Sequence, residues 1–319
     1  MLTLDNFLKK QILFVDAIDI KKDSLKIRNE NIALLNENRI VNQVSIHRVI
    51  SLFILGHTTL SSKVIENCVN NGISIFFLNY NFSQYAYINS SAEGNFILRQ
   101  KQYVLFDDLA LSKQIVKNKI LNQLRLLKKE KKLEREKYFF LKKENFRKID
   151  NAKDNKELLG LEGSLSKLYF KGIFKEYGWY KRMPRAKIDE INFLLDIGYT
   201  FLFNFIDSLI GLFGFDKYKG FYHTQFFNRK SLTCDLVEPF RCIVDKAIIK
   251  AFHLNQIDKR DFKRKGNYYY LKWDKNKKYS KIFFKEILNN KEDIYDFVRG
   301  FYKYTQAEKA HKFPNYLIK

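Results

Sequence analysis

Over roughly the first 90 residues, hydrophobic and polar positions alternate in short runs, the period of half-buried strands. The apolar runs are Ile12-Leu-Phe-Val15, Leu25-Lys-Ile27, Val41 to Ile46, Ile50 to Leu55 and Ile73 to Leu78. Asn, Asp and Gly punctuate them around Asn36 to Asn38 and at Gly56 and Gly72. One helical stretch, Ser61 to Asn70, intervenes with Val64, Ile65 and Cys68 on one side. Ser90-Ser-Ala-Glu-Gly94 is small, polar and glycine-ended, and reads as a linker.

Beyond the linker the rhythm lengthens. Leu111, Ile115, Ile120, Leu124 and Leu127 recur at helical spacing, with lysines on the remaining faces. From Lys128 to Lys156 the chain is dense in charge, as in a solvated connection or a DNA-contacting arm, and Tyr138-Phe-Phe140 docks part of it on the core. Leu158, Leu161, Leu165 and Leu168 mark the stripe of another helix. An apolar helix follows from Ile191 to Phe205, and Gly211 and Gly214 end a further helical run. Ile243, Val244, Ala247, Ile248 and Ala251 form another inward face. Tyr268 to Trp273, a lysine-rich turn and Ile282-Phe-Phe284 read as a β-hairpin. The last helices, to Phe301 and Tyr304, lead into a polar, basic tail containing His311. The expected fold class is α+β: a β-rich N-terminal domain over residues 1–92 and a larger, mainly α-helical domain over 93–319.

Composition narrows the function. The 319 residues suffice for two domains with separate cores, and a hydrophobic share of 46% argues for a folded chain and against a disordered one. Lys and Arg number 58 against 35 Asp and Glu, a formal charge of +23. Such an excess points to a polyanionic partner. Its spread along the chain favours nucleic acid over a membrane. No signal peptide or apolar run of membrane length is read. The cysteines, Cys68, Cys234 and Cys242, form no C-x-x-C pair, which argues against structural zinc and fits a reducing cytoplasm. Walker and dinucleotide fingerprints are missing, so nucleotide-fuelled chemistry is disfavoured.

The candidate chemistry is concentrated between Gly220 and Arg241. Asp235 and Glu238 lie three apart and share a helix face, with His223 on a preceding turn. An imidazole converging with carboxylates suits a divalent cation, the nitrogen leaning toward Mn²⁺ and the oxygens toward Mg²⁺. Arg229, Lys230 and Arg241 beside them would attract a phosphodiester. The same four residues from Asp235 to Glu238 also fit a helix start, an acidic cap with a carboxylate three on. Asp235 can cap while Glu238 binds. Upstream, Glu162 sits at the edge of its helix's apolar stripe, where a carboxylate needs a cation or a hydrogen bond. Trp179, Tyr180, Arg182 and Arg185 interleave rings and cations, the composition of a grip on a strand end or of ordinary packing beside solvated arginines.

Three stretches carry a family resemblance. GFDKYKGFYH at 214–223, followed by SLTCDLVEPFR at 231–241, resembles a signature of the CRISPR-associated spacer-acquisition integrases, the Cas-one family. GLEGSLSKLYF at 160–170 is similar to the family's Gly-x-Glu-Gly helix, and Arg182, Asp189 and Asn192 match an Arg…Asp-x-x-Asn pattern. The family's paired prolines before that aspartate are missing, with Pro184 alone nearby.

The resemblance implies that Glu162, His223 and Glu238 ligate one Mg²⁺ or Mn²⁺, with Asp235 as support or occasional ligand. It implies an endonuclease or integrase that joins the 3′-hydroxyl of a double-stranded DNA fragment to CRISPR repeat DNA, in antiviral defence. It also implies a homodimer formed through the β-domain and bridged by a small partner, Cas-two. A structure-selective nuclease for branched DNA and a non-catalytic DNA-bridging scaffold are the alternatives.

Overall fold

The computed structural model describes residues 10–17, 23–79, 84–90, 95–105, 109–223, 225–266, 268–307 and 311–319. Its first part is strand-rich: β1 (Gln11–Ala17), β2 (Asp23–Arg28), β3 (Asn31–Asn36), β4 (Arg39–Ser45), β5 (Val49–Gly56) and β6 (Thr59–Leu60). Helix α1 (Ser62–Asn70), β7 (Ser74–Leu78) and β8 (Gln84–Ile88) complete it. One sheet runs β1-β5-β7-β8, with the first three parallel and β8 antiparallel; the other runs β4-β3-β2-β6. The β2–β3 and β3–β4 turns carry positive φ at Asn29 and Glu30 and at Glu37 and Asn38. Two consecutive left-handed residues match the twist of tight hairpins.

The remainder is helical: α2 (Phe96–Leu105), α3 (Leu109–Lys129), α4 (Arg135–Asn151), α5 (Asn155–Phe174) and α6 (Glu190–Phe213). Then come α7 (Ser231–Val237), a 3₁₀ turn at Glu238–Phe240 and α8 (Arg241–His253). A hairpin of β9 (Phe262–Lys265) and β10 (Tyr268–Leu271) precedes α9 (Asn276–Asn289) and α10 (Lys291–Gln306). The expected α+β class is the one observed.

Several boundaries differ from the sequence reading. The segment from Ile191 through Gly211 is one helix, α6, started by the Asp189 side chain accepting from the Asn192 N–H. It ends at Gly214 with φ 83°. By length and composition α6 is able to cross a bilayer, but 83% of its apolar window is buried within the fold. Ile282 to Phe284 lie in α9, not in a hairpin, because Tyr279, Phe283 and Ile287 repeat at helical spacing and all face inward. Tyr268 to Leu271 pair instead with Phe262–Lys265. Most of the charge-dense 128–156 stretch is α4, with Tyr138 buried and Phe139 and Phe140 exposed. Of the expected linker, residues 91–94 lie outside the described residues.

The core has two parts. Strand β5 is buried throughout, and its alternating side chains feed both. Val49, Leu52 and Ile54 join Leu25, Ile32, Val64 and Cys68 between the sheets and α1. Phe53 and Leu55 face the helices. There Phe14 lies 5.1 Å from Phe284, and Phe53 lies 6.0 Å from Phe201, ring centre to ring centre. The strand-rich part therefore contributes one sheet face to the helical core. At the crossing of α6, α8 and α9, Gly198 allows contact: a Cβ there would run into Val244 and sit 2.8 Å from Phe283 Cε1.

The C-terminal residues, read as a polar tail, dock along α3. Tyr316 and Ile318 are buried, with Asn118 and Asn122 bonding their backbone. Asn122 also donates to the carbonyl of Pro239 at 2.9 Å, tying α3 to the turn that carries Glu238.

Candidate active site

The turn ahead of α7 is built around Asp235. This fully buried carboxylate accepts the backbone N–H groups of Phe221 at 2.7 Å, Tyr222 at 3.2 Å and His223 at 2.9 Å. Gly220 makes the approach possible, since a Cβ there would lie 2.6 Å from Asp235 Oδ2. The capping account of Asp235 is corrected: α7 begins four residues earlier at Ser231, and the carboxylate points across to the turn. Asp235 Oδ1 also lies 2.7 Å from His223 Nδ1. A carboxylate only accepts, so Nδ1 carries the proton and Nε2 keeps its lone pair. That Nε2 lies 3.8 Å from Glu238 Oε1.

Glu162 comes from α5 and Glu238 from the 3₁₀ turn after α7. They meet at one ammonium. Lys119 of α3 places Nζ 2.6 Å from Glu162 Oε1 and 2.5 Å from Glu238 Oε2. Glu162 also accepts from Ser166 Oγ at 2.6 Å, and Gln123 donates to that hydroxyl. Arg241 grips Glu238 with two bonds of 3.0 and 2.9 Å and lies over the Tyr199 ring. Burial pushes the Glu238 carboxyl up, but Arg241, Lys119 and His223 outweigh it and hold the group far below the ordinary range. Burial likewise lowers Lys119, and Glu238 and Glu162 overcome this to raise it. The Tyr222 hydroxyl is buried nearby without a hydrogen-bond partner. Burial and the charges of Glu162, Glu238 and Asp235 push it up.

Two carboxylates and one imidazole form a donor set suited to Mg²⁺ or Mn²⁺. As the side chains stand, no cluster of three His, Cys, Asp or Glu among the described residues closes on a single point. The reason is local: the Lys119 ammonium lies where the two carboxylates converge. A cation at that position is itself a sign that the pocket suits positive charge.

Arg182, Arg185, Arg229, Lys230 and Arg241 all line one open cleft of about 1120 Å³, together with His223. Their availability differs. Arg182 is held by Asn192 at 3.0 Å and Asp196 at 2.6 Å, and Asn192 in turn bonds Asp189, so the Arg…Asp-x-x-Asn pattern staples the loop before α6. Lys230 is drawn inward to the buried Asp207 at 3.0 Å, under the ring of Tyr87. Arg241 serves Glu238. Arg185 and Arg229 are exposed, as are Phe226 and Phe227 beside them. Trp179 is buried against Phe170 and Phe174, whereas Tyr180 is exposed.

Sequence reasoning missed Lys119, which it placed among the outward lysines of α3. Asn118, Asn122 and Gln123 surround it on the buried face. That polar patch within an apolar stripe is the signal that could have found it. Asp207 and the buried Asp245, which accepts from Tyr169 at 2.7 Å and Tyr199 at 2.6 Å, were also missed.

The family model "CRISPR associated protein Cas1" matches residues 17–285. The chain is 26% identical over 313 residues to the CRISPR-associated endonuclease Cas1 1 of Thermodesulfovibrio yellowstonii, covering 93% of this chain and 98% of that protein. In fold it is similar to a casposase bound to integration product, with a TM-score of 0.81 at 21% identity over 97% of this chain and 94% of that one. It is also similar to a chain of a Cas6-RT-Cas1–Cas2 complex, with a TM-score of 0.78 at 22% identity over 98% of this chain and 36% of that one. With the family model matched across most of its length, this chain belongs to the CRISPR-associated Cas1 family.

Proposed function

We propose that this chain is a metal-dependent DNA integrase that inserts foreign fragments into a CRISPR array. Glu162 and Glu238, from separate elements, share one cationic nitrogen while His223 Nε2 faces Glu238, and this observation carries the reading. Bound by Glu162, His223 and Glu238, Mg²⁺ or Mn²⁺ supplies polarisation of the scissile phosphate and charge stabilisation at the leaving 3′ oxygen.

The chain's own residues do the rest. Asp235 fixes the tautomer and aim of His223. Arg241 fixes Glu238. Arg185 and Arg229, exposed at the cleft, bind phosphates, and Arg182 supports the cleft wall. The 3′-hydroxyl of the fragment attacks a repeat phosphodiester; one P–O bond forms as the repeat's own P–O3′ bond breaks. Phosphodiester count is conserved, so no nucleotide fuel is needed.

The working assembly in this reading is a cytoplasmic homodimer paired through the strand-rich part and bridged by Cas-two, serving antiviral defence. Neighbours in fold that include a casposase bound to integration product and a Cas6-RT-Cas1–Cas2 complex support DNA and Cas-two as partners. The test is strand joining in Mg²⁺ or Mn²⁺ with fragment ends carrying either a 3′-hydroxyl or a 3′-phosphate. Only hydroxyl ends should be joined to a supercoiled target. Equal target cutting with both ends would favour a nuclease for branched DNA, and no reaction with either would favour a scaffold.

A further inference from the structure

We propose that Lys119 is the built-in counter-cation of the Glu162–Glu238 pair, and that a divalent ion enters the site by displacing its ammonium. The inference rests on the metal-binding reading above and adds a positioning residue to it. Lys119 is 8% exposed, and its Nζ touches both carboxylates within 2.6 Å. A buried carboxylate (Glu238) and a half-buried one (Glu162) that share a single nitrogen repel unless a cation lies between them. Lys119 and Arg241 together neutralise the pair.

The two cations are not equivalent. Arg241 touches only Glu238, holds it by a fork of two bonds and stacks on Tyr199, so it braces that carboxylate from behind. Lys119 alone bridges the two carboxylates, at the point where a shared ion would sit. Its ammonium is a compact charge on a flexible stem, able to withdraw without moving α3. A doubly charged ion cannot share that point with an ammonium at contact distance, and it satisfies both carboxylates better. Lys119 thus keeps the carboxylates paired, and makes ion entry an exchange instead of a simple addition.

The experiment is calorimetric titration of Mn²⁺ into the wild type, Lys119→Met and Lys119→Arg, with melting temperatures in EDTA and in saturating Mn²⁺. Lys119→Met removes the competitor, so its Mn²⁺ Kd should fall by about tenfold or more, while Lys119→Arg should bind no more tightly than the wild type. Lys119→Met should melt below the wild type in EDTA and gain more from Mn²⁺ than the wild type does. Binding by Lys119→Met that is equal to or weaker than wild-type binding overturns the displacement proposal while leaving the metal reading intact. No Mn²⁺ binding to either protein overturns the metal reading itself, and the proposal with it. Reductive methylation of the wild type keeps the question decidable if Lys119→Met does not fold. Labelling of Lys119 should rise at least about tenfold between EDTA and Mn²⁺, and unchanged protection overturns displacement.

Discussion

At the scale of single residues, Asp235 separates a local role from a positioning one. It accepts three backbone N–H groups and the His223 ring, so Asp235→Ala leaves four donors, two of them fully buried, without their acceptor. The expected loss is about 3 kcal/mol or more in urea unfolding, against about 1 kcal/mol for a helix cap. Asp235→Asn should cost less stability yet weaken Mn²⁺ binding by about 10- to 100-fold, because an amide no longer enforces the proton on Nδ1.

Asp245 gives a pH prediction of definite sign. Burial raises its carboxyl to about 6 despite the bonds from Tyr199 and Tyr169 and the pull of Arg241 and Arg182, against an ordinary 3.8. The folded chain holds this proton more tightly than the unfolded one. Its contribution is full below pH 3.8 and lost as pH rises through about 6. The stability difference between wild type and Asp245→Asn should therefore shift by about 2 kcal/mol against the wild type between pH 4 and pH 7, measured by urea melts. His223, Asp235 and Glu238 are legible in the sequence because one short segment holds them at fixed spacing. Glu162 is legible as a charge at an apolar edge. Lys119 is one of 58 cationic residues, on a helix with several lysines, and only its partners from two other elements single it out.

At the scale of elements, α3 is the spine of the site. Its Lys119 meets Glu162 and Glu238, while Asn122 one turn on binds Pro239 and the docked C-terminal strap. Asn122→Ala should cost about 1–3 kcal/mol by leaving buried backbone groups unpaired. It should also lower strand joining, although Asn122 touches neither carboxylate. A stability loss with joining unchanged would confine it to packing. The strap, β3 and α9 were hard to read from sequence for related reasons. Asn29-Glu30 lacks the glycine that marks a tight turn, and Ile282-Phe-Phe284 within α9 is too short a run to tell a strand period from a helix period. The strap's short Tyr316-Leu-Ile318 has no period, and only contact with α3 identifies it.

At the scale of the whole molecule, the +23 charge predicts strongly salt-dependent duplex binding. Affinity should fall by about a thousandfold or more between roughly 50 and 200 mM salt if six or more phosphates are met. Arg185→Ala and Arg229→Ala should each reduce the salt slope by about one. Lys230→Ala should instead lower the melting temperature, because its ammonium is committed to Asp207 inside the fold. A Lys230 variant that changes only the salt slope would place that side chain on DNA after all.

The aromatic contacts of Phe14 and Phe53 with Phe201 and Phe284 bear on how the protein can be taken apart. Rings interlocked across the strand-rich and helical parts hold them together independently of the backbone that joins them. A protease nick between Ser90 and Asn95 would cut the chain without releasing either piece. Two separately made fragments, divided there, should find each other by the same rings and reconstitute one particle, so the molecule is suited to split-protein complementation.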